Sequence, residues 1–424
     1  MARTVAIGKQ DFASIMENHY FFVDKTEFIR EWWESGDDVT LITRPRRFGK
    51  TLNMSMVNCF FSNRYANRRD LFENLSIWQY ENYQKLQGTY PVIFLSFASI
   101  KADNIEETKR QIKAQIAALY EQNRYLVKGG VLSKNELTQY EKMTMDMDDA
   151  ECSISINLLC SYLERYYGKK VILLIDEYDV LLDKAFQHGY YDEMVSLIRG
   201  MLGSVLKTND SLQMGVLTGC LRITKESIFT GLNNFKVYSV AESAFDEYFG
   251  FTDEEVDMLY QRYLSRTKKP QITRENLREW YDGYHTASGE RLYNPRSVVC
   301  ALTDNQLSNY WVSSGKYDSI FTYIRYNVDQ IQNDLALMFA GEKISSGIQE
   351  YAATAQELKT KEEIYSAMVV YGLLTYDNGR VFIPNRELMG SYAAMMKKET
   401  SLGYVYRLAN ASSQMLQATL AGDT

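Results

Sequence analysis

Gly49-Lys50-Thr51 is a tripeptide that can grip a phosphate. A glycine lets the backbone come close to an anion with no side chain in the way. The amides that open a following helix point at that anion. The lysine can reach the β- and γ-phosphates, and the threonine hydroxyl can reach Mg²⁺. The full phosphate-loop pattern, G-x-x-x-x-G-K-[ST], asks for a glycine at position 44, where this chain has Arg44 followed by Pro45, Arg46 and Arg47. Pro45 biases Arg44 toward extended geometry, so the chain is expected to run on straight there and to wrap phosphates around Gly49. Arg46 and Arg47 add charge where a triphosphate would lie; they touch phosphates or sugar, or pair with acids elsewhere. A solvated basic turn would also explain the stretch taken alone.

A second motif, "VILLIDE", puts Asp176 and Glu177 at the end of an apolar run. In an open parallel sheet that end faces the ligand crevice. Asp176 is expected to hold Mg²⁺, directly or through water, and Glu177 to orient and deprotonate the attacking water. "MGVLTG" ends another run with Thr218, placed as a sensor of the water or γ-phosphate. Cys220 reads as a small buried residue. Arg222 either senses the γ-phosphate or makes a structural salt bridge. The nucleotide-contacting set is Arg46, Arg47, Phe48, Gly49, Lys50, Thr51 and Leu52, with Asp24 beside base or ribose. For Asp24 and Lys25 a capping or salt-bridge role is an equal alternative. Asp179, Asp183 and the Asp146-Asp148-Asp149 cluster read as solvated acids rather than a second metal site, and Tyr281 and Tyr284 as packing residues.

These residues need elements to place them. "VTLIT" reads as a buried strand, and "TLNMSMVNCFF" has helical spacing. "YPVIFLSFASI" and "LQMGVLTG" read as strands, and "KKVILLIDE" as a central parallel strand buried on both faces. Helices are expected over "NIEETKRQIKAQIAALYEQN", opened by Asn104, over "ISINLLCSYLERYYG", ended by Gly168, and over "DEMVSLIRGMLGSVLKTN". Strands alternating with helices imply an α/β unit with a mostly parallel sheet. Beyond about residue 240 the chain becomes mainly helical, with a capped helix in "FTDEEVDMLYQRYL". "AMVVYGLLTYDNGRVFIPN" reads as helix, strand, tight turn and strand, the winged-helix pattern. The expected domains are 1–240, a phosphate-loop core; 241–315, a helical lid; and 316–424, a helical, winged-helix-like region.

The bulk numbers agree with a globular protein. The 424 residues are 46% hydrophobic and 24% charged, ordinary for a chain able to bury a large core. A net charge of −7 argues against a uniformly basic nucleic-acid coat. No apolar run approaches the roughly 20 residues needed to span a bilayer, and "MARTVAIGKQDF" lacks the apolar core of a secretory signal. Five scattered cysteines argue for a reducing compartment, and His19, His188 and His285 are too dispersed for a zinc centre. The expected location is cytoplasmic.

The chain resembles the bacterial AAA-ATPase-like family of P-loop proteins. The blocks that carry the resemblance are "FFVDKTEFI", "LITRPRRFGKTLNMSM", "LLIDEYDVLL", "LTGCLRITKESIFTGLNN", "YFGFTDEEV", "WYDGYH", "LYNPRSV" and "VFIPNREL". The family pattern itself has arginine and proline in the loop, so Arg44 is a shared trait. The resemblance implies an ATP-binding, additional-strand P-loop domain, then a helical lid and a winged-helix-like region. It makes Lys50 and Thr51 phosphate and Mg²⁺ ligands, Asp176 and Glu177 the Walker B pair, and Thr218 the sensor. Many members continue into a PD-(D/E)xK nuclease domain. This chain stops at "MLQATLAGDT", where such a domain would begin, so nuclease activity is not expected. The function to test is a Mg-dependent ATPase switch acting on a protein partner or an appended effector domain. The alternative is an ATP-binding scaffold for protein or DNA with little turnover. Oligomers fit either.

Overall fold

The computed structural model describes residues 8–207, 209–220, 234–240, 242–311, 328–348, 358 and 360–398. They divide into two compact units: residues 9–43 with 50–239, and residues 44–49 with 240 onward.

The first unit is built on a five-stranded sheet of β1 (Val39–Thr43), β2 (Val92–Ser96), β3 (Val171–Asp176), β4 (Leu212–Gly219) and β5 (Phe235–Tyr238). Its order is β2-β3-β4-β1-β5, and every pairing is parallel. All of β1 and β3 is buried. The aliphatic run over residues 171–175 of β3 follows from this, because a strand covered on both faces favours apolar side chains throughout. The helices Lys50–Phe61, Asp149–Tyr167 and Tyr191–Leu206 pack on the sheet. Trp32 is fully buried, and its indole N–H donates to Thr40 Oγ1 at 3.1 Å.

β4 lies between β1 and β3, which is the additional-strand arrangement. Register then sets the site. Ser96 pairs with Asp176 across β2 and β3, and Ile42 with Thr218 across β1 and β4. The carboxyl ends of four neighbouring strands therefore meet on one edge.

Helix ends follow the local sequence. The Asn104 side chain accepts from Glu107 N at 2.9 Å to open Ile105–Gln122, with Glu106 and Glu107 in its first turn. Gly168, at φ +66°, closes Asp149–Tyr167 in the left-handed conformation. The acids before that helix are not merely solvated: Asp148 caps it in a capping box, and Asp149 pairs with Lys109 and Lys113, each at 2.9 Å. Among the described residues no group of three or more His, Cys, Asp or Glu could hold a metal. Nor is any described helix long and apolar enough to cross a membrane.

The second unit carries the helices Asp253–Arg266, Arg274–Tyr281, Pro295–Asp304, Val328–Phe339, Lys361–Val370 and Arg386–Lys398. A short hairpin joins β6 (Tyr284–His285) to β7 (Arg291–Leu292). Thr252 and Thr360 each open a helix with a capping box. Lys361–Val370 leads into β9 (Thr375–Asp377) and β10 (Arg380–Phe382), joined through Asn378 and Gly379 at φ +47° and +79°. Two successive left-handed residues match the twist of a tight hairpin. β8 (Ile344–Ser345) adds a third strand beside β10. Tyr281 is fully buried, and Tyr284 nearly so. A boundary at 315/316 and part of the helical, winged-helix-like region expected over 316–424 lie outside the described residues.

Glu387 is a buried acid of this unit, with no exposure. Its Oε1 accepts from Ser297 Oγ at 2.9 Å, Tyr310 N at 2.7 Å and Trp311 N at 2.8 Å. Oε2 has no hydrogen-bond partner among the described residues. Burial pushes the carboxyl up from 4.5 to about 7. A carboxyl raised on folding binds its proton more tightly in the native state, so its stabilising contribution is full below pH 4.5 and is lost as pH rises through 7. At 1.36 kcal/mol per pH unit the loss is on the order of 3 kcal/mol. Glu387→Gln keeps an acceptor but cannot ionise. Urea denaturation should find it more stable than the parent at pH 8 and nearly equal near pH 4.5. Parallel pH profiles for the two proteins would contradict this account.

Candidate functional site

In the first unit the chemistry gathers at the end of β3. Asp176 has no solvent exposure. Thr218 Oγ1 donates to its Oδ1 at 2.6 Å, and Thr51 Oγ1 donates to its Oδ2 at 2.9 Å. Ser96 Oγ donates to Oδ2 at 3.3 Å. A buried carboxylate is costly unless donors meet it, and here hydroxyls from β2, β4 and the Lys50–Phe61 helix do so. Ser96 was not singled out in the sequence. Its only signal there is a polar residue closing the apolar "VIFL" run.

Lys50 opens the helix and is 6% exposed, with its ammonium donating to Cys220 Sγ at 3.6 Å. Cys220 is buried, as expected. Leu52 is half-buried on the same helix. Glu177 follows Asp176 at φ +52°. A non-glycine residue rarely adopts that conformation, and backbone strain of this kind clusters at functional positions.

Asp179 corrects the expectation of a solvated acid. It is 6% exposed, and its Oδ2 accepts from Cys220 N at 2.7 Å. Its neighbour across the strand end explains a glycine: a Cβ on Gly219 would lie 2.7 Å from Asp179 Oδ1 and 2.7 Å from the Tyr178 ring.

The loop residues Arg44–Gly49 group with the second unit. Arg44 is buried, with its guanidinium 5.6 Å from the Phe249 ring centroid. Pro45 packs where Gly372 has no side chain, since a Cβ there would come within 2.8 Å of Pro45 Cβ. Phe48 is buried edge-on against Tyr284, with centroids 4.9 Å apart. Arg44 is not left-handed; the loop turns instead at Arg47, φ +75°, and Gly49, φ +85°. A Cβ on Gly49 would meet no atom within 4 Å, so that face of the backbone is open. Arg46 and Arg47 are half-buried. A pocket of about 30 Å³ lined by Pro45, Phe48, Phe249 and Tyr284 has room for water.

Asp24 accepts hydrogen bonds from two neighbouring turns. Its Oδ1 accepts from Thr26 N at 2.9 Å and Thr26 Oγ1 at 2.6 Å, and its Oδ2 from Ser76 N and Oγ, each at 2.7 Å. With four donors on two oxygens, the carboxylate is a clamp between two turns. Arg222 lies outside the described residues.

The donor set at Asp176 fits a magnesium ion. Thr51 Oγ1 and Asp176 Oδ2, 2.9 Å apart, are hard oxygen donors that would serve as its ligands. One carboxylate with a hydroxyl is what Mg²⁺ takes from a protein when phosphates and water complete its shell.

A model of the AAA-ATPase-like family, described as predicted AAA-ATPase, matches residues 6–229, more than half of the chain. An uncharacterized protein from the vnfD 5′ region of Azotobacter chroococcum mcd 1 is 27% identical over 316 residues, 74% of this chain and 54% of that protein. The chain thus spans about half the length of that relative. A Walker-type ATPase of Pyrococcus abyssi aligns with a TM-score of 0.46 and 14% identity, over 92% of this chain and 98% of that one.

The close approach at the end of β4 is testable without any ligand. Gly219→Ala forces an overpacked contact with Asp179 and Tyr178 and should cost about 1–3 kcal/mol in urea denaturation. An unchanged midpoint would contradict that packing.

Proposed function

The chain belongs to the predicted AAA-ATPase family, and we propose that it binds Mg·ATP at the start of the Lys50–Phe61 helix, hydrolyses it, and uses the nucleotide state as a switch. The observation that carries this reading is the fully buried Asp176 with the hydroxyls of Thr51 and Thr218 on its two oxygens. The loop and helix that begin at Gly49 present main-chain amides and the Lys50 ammonium to the phosphates. Thr51 and Asp176 would hold Mg²⁺, which neutralises charge on the phosphate oxygens when bound. Glu177 orients a water on the γ-phosphate and takes its proton, the general-base role. Thr218 contacts that water or the phosphate as a sensor, and Arg222 is assigned to the γ-phosphate. Arg46, Arg47, Phe48 and Leu52 complete the nucleotide-contacting set.

Because Arg44, Pro45 and Phe48 pack with the second unit while Lys50 follows directly in the chain, a change in the loop is the natural carrier of the switch. The proposed division is a core over 1–240, a helical lid over 241–315 and a winged-helix-like region over 316–424. The switch acts in the cytoplasm on a protein partner or an appended effector domain.

Thermal unfolding against a nucleotide panel, with and without Mg²⁺, tests binding, since a ligand at 100 times its Kd adds about 2.7 kcal/mol of stability. ATP with Mg²⁺ should raise the melting temperature of the parent and of Glu177→Gln, but not of Lys50→Ala. Phosphate release by Glu177→Gln should fall about 100-fold or more. Binding without Lys50-dependent release would leave a nucleotide-stabilised scaffold. Equal binding and release by all three proteins would remove the assignment.

A further inference from the structure

We infer that Asp179 is a positioning residue that locks the end of β4 onto the turn carrying Asp176 and Glu177; its bearing on turnover rests on the ATPase reading above. Thr218, Gly219 and Cys220 form that strand end. Two links hold it. Tyr178 N donates to Thr218 O at 3.2 Å, and Cys220 N donates to Asp179 Oδ2 at 2.7 Å. The last rung between β1 and β4 pairs Thr43 with Gly219. Cys220 lies one residue past it, so its amide takes a side-chain acceptor instead of a ladder partner.

Asp179 also occupies the residue that precedes the Val180–His188 helix, where an aspartate usually accepts a hydrogen bond from its own helix. Here it makes no side-chain cap. The carboxylate reaches across to the neighbouring strand, and Gly219 leaves the room for it: the site of an absent Cβ is 2.7 Å from Oδ1.

What hangs on this lock is specific. Thr218, two residues before Cys220, donates to Asp176, and the Cys220 sulfur accepts from the Lys50 ammonium. Releasing Asp179 frees a strand end that bears on the acid and the lysine at once. The requirement is for an acceptor oxygen at this spot and not for a negative charge. The amide introduced by Asp179→Asn presents such an oxygen, whereas Asp179→Ala leaves none.

The test compares the parent, Lys50→Ala, Asp179→Ala and Asp179→Asn. Amide hydrogen exchange across residues 212–220, without nucleotide, should speed up about tenfold or more at the Cys220 end in Asp179→Ala and stay near parental in Asp179→Asn. In steady-state assays Asp179→Ala should lose about tenfold or more in kcat with KM for Mg·ATP within about threefold, since small misplacement of reacting groups is costly. Asp179→Asn should recover most of that kcat. Parental exchange in Asp179→Ala overturns the lock, and a defect in Asp179→Asn as deep as that of the alanine variant shows that charge is what matters and overturns it too. If Asp179→Ala does not fold, the exchange and kcat of Asp179→Asn against the parent still decide. A parent with no Lys50-dependent phosphate release removes the ATPase reading, while the exchange result stands by itself.

Discussion

At the end of β3 a carboxylate with no solvent exposure is met by hydroxyls from three other elements. Leaving such a group unmatched would cost several kcal/mol, and an isolated charge far more. That constraint dictates much of the surrounding architecture. It requires β2 and β4 on either side of β3, in a register that sets Ser96 level with Asp176 and Thr218 near it. It also requires the helix after β1 to start where Thr51 can reach back. An inserted β4 is therefore more than a topological detail: it brings Thr218 to one oxygen while the helix serves the other.

The phosphate loop keeps the end of its usual pattern and abandons the beginning. Pro45 and Phe48 use their side chains as packing groups among second-unit residues, against Gly372 and Tyr284. A glycine at 44 would give freedom where the chain is being held. The turn moves to Arg47, which takes a left-handed conformation that a glycine would adopt without strain. The charge of Arg47 is thus retained at a conformational cost.

Two acids that look alike in sequence have opposite fates. Asp24 is saturated by donors from Thr26 and Ser76, so it ties turns together. Asp179 leaves its own helix uncapped to hold a strand end. Both are satisfied acceptors, and only the identity of the donors separates a clamp between two turns from a group at the end of β4.

The sequence by itself determined what depends on neighbours in the chain. Short β-branched or apolar stretches marked β1, β3 and β4; Asn104 and Gly168 marked helix ends; Gly49-Lys50-Thr51 and Asp176-Glu177 marked the candidate site. Each of these signals acts over a few residues, because periodicity, capping and turn preferences are local physics. Tertiary structure decided the strand order, the left-handed Arg47, and the parts played by Ser96, Asp24 and Asp179. Ser96 meets Asp176 across 80 residues, and Asp179 meets Cys220 across 41. A hydrogen bond across such spans is set by how the sheet assembles, and no pattern read along the chain carries that register.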